Sequence, residues 1–151
     1  ATRTMSFSAR VPGVTPVAAI DWQADLGNTV GLQPLIESAE LTGSELVGGR
    51  QRTSWRVTER LHFWRLGYRI HFDSQVTRVA ADRLVIQVRA TAGTRLDVVV
   101  WAKVDPQDPS GVIVTEHLTA TAPALTIRYV AAQARAAHTE AFRRLPSLLG
   151  A

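Results

Sequence analysis

The chain has 151 residues, 46% of them hydrophobic and 20% charged, with a formal net charge of +4 and no cysteine. That composition excludes a disordered polymer, a disulfide-stapled scaffold and thiolate chemistry, and no apolar run reaches the roughly 20 residues needed to cross a bilayer. The basic excess is arginine except for Lys103, but it is spread along the strands and balanced by 13 acids rather than gathered into a stripe, so no nucleic-acid partner is expected.

Taken in chain order, the first element is a strand at Met5–Val11, ended by Pro12-Gly13. Thr15 can cap a helix whose first turn holds Pro16, with Val17, Ala18, Ile20 and Trp22 as its apolar surface. Gly27-Asn28 breaks it, and a second short helix is predicted over about Thr29–Leu35, weakened by Gly31 and Pro34. A strand follows at Ile36–Leu46, then a turn at Gly48-Gly49. Thr53–Phe63 and Tyr68–Ala80 form a hairpin with Trp64–Gly67 at its tip. Three more strands, Leu84–Ala90, Arg95–Val104 and Val112–Thr121, are separated by Ala81-Asp82, Gly93-Thr94 and Pro106–Gly111. The last element is an amphipathic helix from about Leu125 to Leu149. The pattern predicts a single α+β domain spanning residues 1–151, of order β-α-α-β6-α: a curved seven-stranded antiparallel sheet wrapped around a long C-terminal helix.

Alternation sorts the faces of the strands. Met5, Phe7, Ala9 and Val11 share one face of the first strand; Trp55, Val57, Leu61 and Phe63 share one face of the third. Tyr68, Ile70, Phe72 and Val76 continue the apolar side on the fourth, Leu96, Val98, Val100 and Ala102 on the sixth, and Val112, Val114 and Leu118 on the seventh. Ser54, Arg56, Thr58, Arg60 and His62 read as the solvated side, and so do His71 and His117.

Three residues break the apolar face. Glu59 falls between Val57 and Leu61, Glu116 between Val114 and Leu118, and Ser74 between Phe72 and Val76. A buried carboxylate must be paired, protonated or wet. Two outcomes are open: a β-bulge or a nearby arginine removes each acid from the interior, or the acids line a solvated pocket and orient a ligand there. The final helix favours a pocket. Its inward stripe is predicted as Val130, Ala134, Ala137, Ala141, Leu145 and Leu148, and the alanines leave volume where leucine would fill it. Tyr129 and Gln133 would bring polar groups to the mouth, with Arg128, Arg135, Glu140 and Arg143 on the solvated side.

The run from Thr58 through Trp64 to Ile70, the stretch Gln75–Val79 with Asp82-Arg83-Leu84, the closing segment Ala136–Leu145 and the pair Asp21-Trp22 carry a family likeness. Over Met5–Leu149 the chain resembles the START-like SRPBCC superfamily, whose helix-grip fold is shared by Bet v 1-like proteins, polyketide cyclase/dehydrase relatives and ubiquinone-binding chaperones. The resemblance implies an internal cavity between sheet and helix for a small hydrophobic or amphipathic molecule such as a lipid, quinone or polyketide-like aromatic. Candidate ligand-binding residues are Phe7, Trp55, Glu59 and Tyr68, then Phe72, Ser74, Val100 and Glu116, and finally Leu118, Tyr129, Gln133 and Ala134.

The alternative is an enzyme of the cyclase/dehydratase type, using a pocket Glu or Tyr as acid or base. No catalytic residue is assigned, and no metal or cofactor is expected, because no tight histidine motif, nucleophile elbow or phosphate-binding glycine loop is present. No leader is read in Ala1–Thr4, so a cytoplasmic location is expected. Monomer and dimer stay open, as does a transient contact with a membrane or a partner protein.

Overall fold

A computed structural model of the chain describes residues 1–63, 66–90 and 93–150; the side chains of residues 61–63 and 66 lie outside that description. The expectations for Leu61, His62, Phe63 and the hairpin tip at Trp64 and Arg65 therefore fall outside it.

Seven strands form one antiparallel sheet: β1 (Thr2–Val11), β2 (Ile36–Val47), β3 (Arg50–Phe63), β4 (Leu66–Ala80), β5 (Arg83–Arg89), β6 (Arg95–Asp105) and β7 (Asp108–Thr121). Their spatial order is β1-β7-β6-β5-β4-β3-β2, so every neighbour from β2 to β7 follows in sequence and only β1 joins from a distance. Between β1 and β2 lie α1 (Pro16–Ala24), a 3-10 turn (Leu26–Asn28) and α2 (Thr29–Leu32); α3 (Ile127–Leu149) ends the chain.

Local chemistry accounts for the boundaries. Thr15 Oγ1 accepts from the Ala18 N–H at 3.1 Å, capping α1 just before Pro16. Asp25 Oδ1 accepts from the Gly27 N–H at 2.9 Å and starts the 3-10 turn. The second helix is shorter than predicted and ends at Leu32, because Gln33 precedes Pro34 and is extended (φ −106°, ψ 123°). Gly48 and Gly49 turn the β2–β3 hairpin at φ 59° and 77°, a region glycine enters without penalty.

The final hairpin is tighter than the sequence suggests. Its turn is only Pro106-Gln107, and β7 begins at Asp108 rather than Val112. Asp105 Oδ1 accepts from Gln107 N–H and Asp108 Oδ1 from Ser110 N–H, which lets the ladder close early. At Gly111 a Cβ would stand 2.9 Å from the Val11 carbonyl oxygen, so only glycine lets β1's exit pass that closely.

The core lies on one face of this sheet. Val11, Leu84, Val100, Val112, Val114 and Leu118 are sealed there, with Ile20 from α1 and Leu145 from α3. The helix α3 packs on β1 and β7, and α1 packs on β6. The buried stripe of α3 is Ile127, Ala134, Ala141, Phe142, Leu145 and Leu149. It departs from the predicted stripe at its end, where Leu148 is 40% exposed and Leu149 is buried instead.

Candidate functional site

The side of the sheet beneath α3 is not filled. A cavity of about 340 Å³ remains between the sheet, α3 and the α1–α2 segment. Leu26, Leu32 and Leu35 close one end, and Val57, Ile70, Phe72, Ile86 and Val98 form the sheet wall. The α3 wall is Val130, Ala134, Ala137 and Ala141, with Phe142 beyond them. The alanines are why space is left: a leucine at Ala134 or Ala137 would extend into it.

Polar side chains interrupt this wall. Glu59 and Ser74 project from β3 and β4, Glu116 from β7, and His138 from α3. Gln23, Thr29, Gln33, Gln133, Tyr129, Thr94 and Arg95 are the lining's other polar residues. Continuous register carries Glu59 and Glu116 inward. Glu59 stands opposite Ile70, and Glu116 stands between Phe7 on β1 and Val100 on β6. The register shifts beside β3 belong to β2, between Ile36 and Ser38 and between Leu41 and Gly43, so no bulge turns either acid outward.

The acid's partner is a histidine, not an arginine. His138 Nδ1 and Glu116 Oε1 are in contact, with side-chain exposures of only 12% and 8%. Both atoms are closed off from solvent, and among the described residues neither has an aligned hydrogen bond, so the contact is an ion pair by proximity. Phe7 lies against the imidazole with ring centroids 5.7 Å apart and planes at 28°, and against Phe142 at 5.8 Å. This aromatic backing fixes the plane of the His138 ring.

The electrostatics follow from this packing. Burial alone would lower the His138 pKa, but the adjacent Glu116 charge and contact, with Glu59 further off, outweigh it and raise the pKa above its ordinary value. Burial raises the Glu59 pKa, only partly opposed by His138. Tyr129, 56% exposed at the rim, is also raised, first by desolvation and then by Tyr68 and Glu59. Among the described residues no cluster of three His, Asp or Glu side chains is arranged to hold a metal ion.

Of the residues singled out in the sequence, Glu59, Phe72, Ser74, Glu116, Tyr129, Gln133 and Ala134 border the cavity. Phe7, Trp55, Tyr68, Val100 and Leu118 do not. Phe7 stands behind His138. Val100 and Leu118 are wholly buried where β6 and β7 are packed over. Trp55 lies on the same face further along β3, donating Nε1–H to Thr53 Oγ1 at 2.9 Å. Tyr68 is 44% exposed. Alternation shows which face a residue is on, not how far along that face the cavity extends.

His138 is the residue the sequence reading missed. The predicted stripe ran through its neighbour Ala137. The available signal was its spacing, four residues after Ala134 and four before Phe142, together with two interior acids in need of a partner. His71 and His117 are on the outer face as expected, His71 at 3.0 Å from Thr58 Oγ1 and His117 at 2.9 Å from Ser6 Oγ.

No protein-family model matches the chain, and no curated protein does. Solved structures match over nearly its whole length. A protein of Thermus thermophilus superposes with a TM-score of 0.71 at 15% identity, covering 97% of both chains. A START superfamily protein from Mycobacterium smegmatis gives 0.66 at 12% identity, over 97% of this chain and 96% of that one. The fold is START-like. The Bet v 1-like likeness rests on Ara h 8.0201, at a TM-score of 0.64 and 12% identity over 99% of this chain and 98% of that one. The di-domain ARO/CYC protein BexL, from a biosynthetic pathway, gives 0.69 at 15% identity and 99% coverage of this chain, which spans about half, 49%, of the di-domain length. Likeness at such identities carries the START-like fold and no activity. No helix among the described residues is long and apolar enough to cross a membrane.

Proposed function

We propose that this START-like domain, taken as residues 1–151, binds a small hydrophobic or amphipathic molecule, lipid-, quinone- or polyketide-like, in the cavity beneath α3. The observation that carries this reading is the cavity itself. It is about 340 Å³, walled mainly by aliphatic side chains and roofed by alanine, with polar side chains set among them. That is the ordinary anatomy of a small-molecule site, where apolar walls supply affinity and a few polar groups set orientation. Glu59, Phe72, Ser74, Glu116, Tyr129, Gln133 and Ala134 are the ligand-facing set from the sequence, and His138 joins them.

Native mass spectrometry of protein purified from its own host tests this, alongside titration with an apolar fluorescent probe. A co-purifying lipophilic mass, or saturable probe binding abolished by Ala134→Trp, is expected. Probe binding unchanged by Ala134→Trp would place the probe elsewhere and remove the reading.

A second reading is a cyclase/dehydratase-type enzyme, favoured by one observation. A carboxyl whose pKa burial raises, Glu59, and the His138–Glu116 pair face one cavity. A titratable carboxyl and an imidazole facing one bound molecule can exchange protons with it. Deuterium uptake by benzoylacetone in D2O, faster with the protein than without and lost in Glu59→Gln, would separate catalysis from carriage.

A further inference from the structure

We propose that the cavity is an oxyanion site, in which the free ring nitrogen of His138 and the carboxyl of Glu59 receive the acidic hydroxyl oxygen of an otherwise apolar ring-bearing ligand, a phenolate or an enolate. This rests on the binding reading above and names the chemistry the cavity selects.

The geometry supplies the argument. Glu116 occupies His138 Nδ1, and both atoms are closed to solvent. Nε2 is the remaining nitrogen of a ring that borders the cavity. An imidazole whose Nδ1 faces a carboxylate is favoured as the cation, and in the cation Nε2 carries a proton. The Phe7 stack holds the ring plane, so that N–H has a fixed direction. Glu59 borders the same cavity from β3. Its burial shifts it toward the neutral carboxyl, and in that form it donates.

The other charged or titratable groups on the lining are Tyr129, on the same helix at the rim, and Arg95, which pairs with Asp97 at 2.8 Å. Glu116 is turned to Nδ1. Two donors and aliphatic walls suit one oxygen bearing negative charge on a hydrophobic frame. They do not suit a cation, which would face an imidazolium.

The test uses two probes of nearly equal shape, 4-nitrophenol and its methyl ether 4-nitroanisole. Visible absorption separates bound phenol from bound phenolate. The expected result is that bound 4-nitrophenol ionises at lower pH than the free molecule, with the phenolate held about tenfold or more tighter than the ether. In His138→Gln the displacement of the ionisation midpoint should vanish while 4-nitroanisole still binds.

Glu116→Gln should keep the displacement in acid and lose it near neutral pH, because His138 then no longer stays charged. That pH profile carries the test alone if His138→Gln does not fold. A midpoint that is unmoved or displaced upward, or a displacement that survives His138→Gln, overturns the oxyanion site while leaving the cavity reading intact. Failure of both probes to bind the wild-type protein overturns both.

Discussion

The two faces of α3 put histidine and glutamate to opposite uses within three residues. His138 faces inward, backed by Phe7 and set against Glu116, with both charges nearly sealed from water. Glu140 faces outward and is held by Arg143 at 2.5 and 2.9 Å and by Arg144 at 2.8 Å. The outer cluster has more and better-aligned hydrogen bonds, and it drives the Glu140 pKa down to about 2. Yet water competes for every one of those bonds, so the visible geometry overstates its worth. The inner pair has one contact, and removing either partner strands a buried group. Counting bonds ranks the two faces one way; solvent ranks them the other.

The largest expected effect is on the inner pair. His138→Phe leaves Glu116 without its cation and should cost about 3–5 kcal/mol in denaturant unfolding. Adding Glu116→Leu to that variant should restore most of the loss, since two apolar groups of similar volume replace two desolvated ones. A double variant no better than the single would show that the pair itself contributes net stability.

The roof comes next. Ala134→Trp should abolish apolar-probe binding and cost about 1–3 kcal/mol through slight overpacking.

Both interior groups should then make the protein less stable as pH rises. The folded pKa of His138 is raised, so its contribution is complete below the unfolded value of 6.5 and is lost as pH climbs through the folded one. Glu59 acts with the same sign from lower pH, its contribution being complete below 4.5 and lost above. Urea midpoints taken upward from neutral pH should fall in the wild type and flatten in His138→Phe; equal slopes would mean His138 is not the group responsible.

The outer cluster should behave inversely and weakly. Its folded pKa is depressed, so stability is present above 4.5 and is lost only as pH drops through about 2. Glu140→Gln should therefore shift the melting temperature little, and the shift should shrink further in added salt.

The same contrast explains what was legible in the sequence. Period-2 alternation placed Glu59, Ser74 and Glu116 on the covered face, because a strand has only two faces and a misplaced polar residue stands out. Along α3 the angular step is 100°, and a stripe anchored on Ala137 and Leu148 is one position away from one anchored on His138 and Leu149. Alanine carries too weak a preference to settle that rotation, and the terminal leucines read equally well either way. The hairpins from β2 to β7 were legible from turns such as Gly48-Gly49, whose φ values only glycine adopts easily, but the pairing of β1 with β7 was not. The early start of β7 was not, because Pro106–Gly111 reads as loop until the Asp105 and Asp108 caps are seen.

The alanines of the cavity roof and the acids of its walls come from different elements, α3 on one side and β3 and β7 on the other. Enlarging Ala134, Ala137 or Ala141 stepwise shortens the space a guest can occupy without touching Glu59 or Glu116. Exchanging those acids changes which end group is welcome without changing the length available. Under the binding reading, size and chemical taste are thus set by separate elements, and each can change by substitutions that leave the other in place.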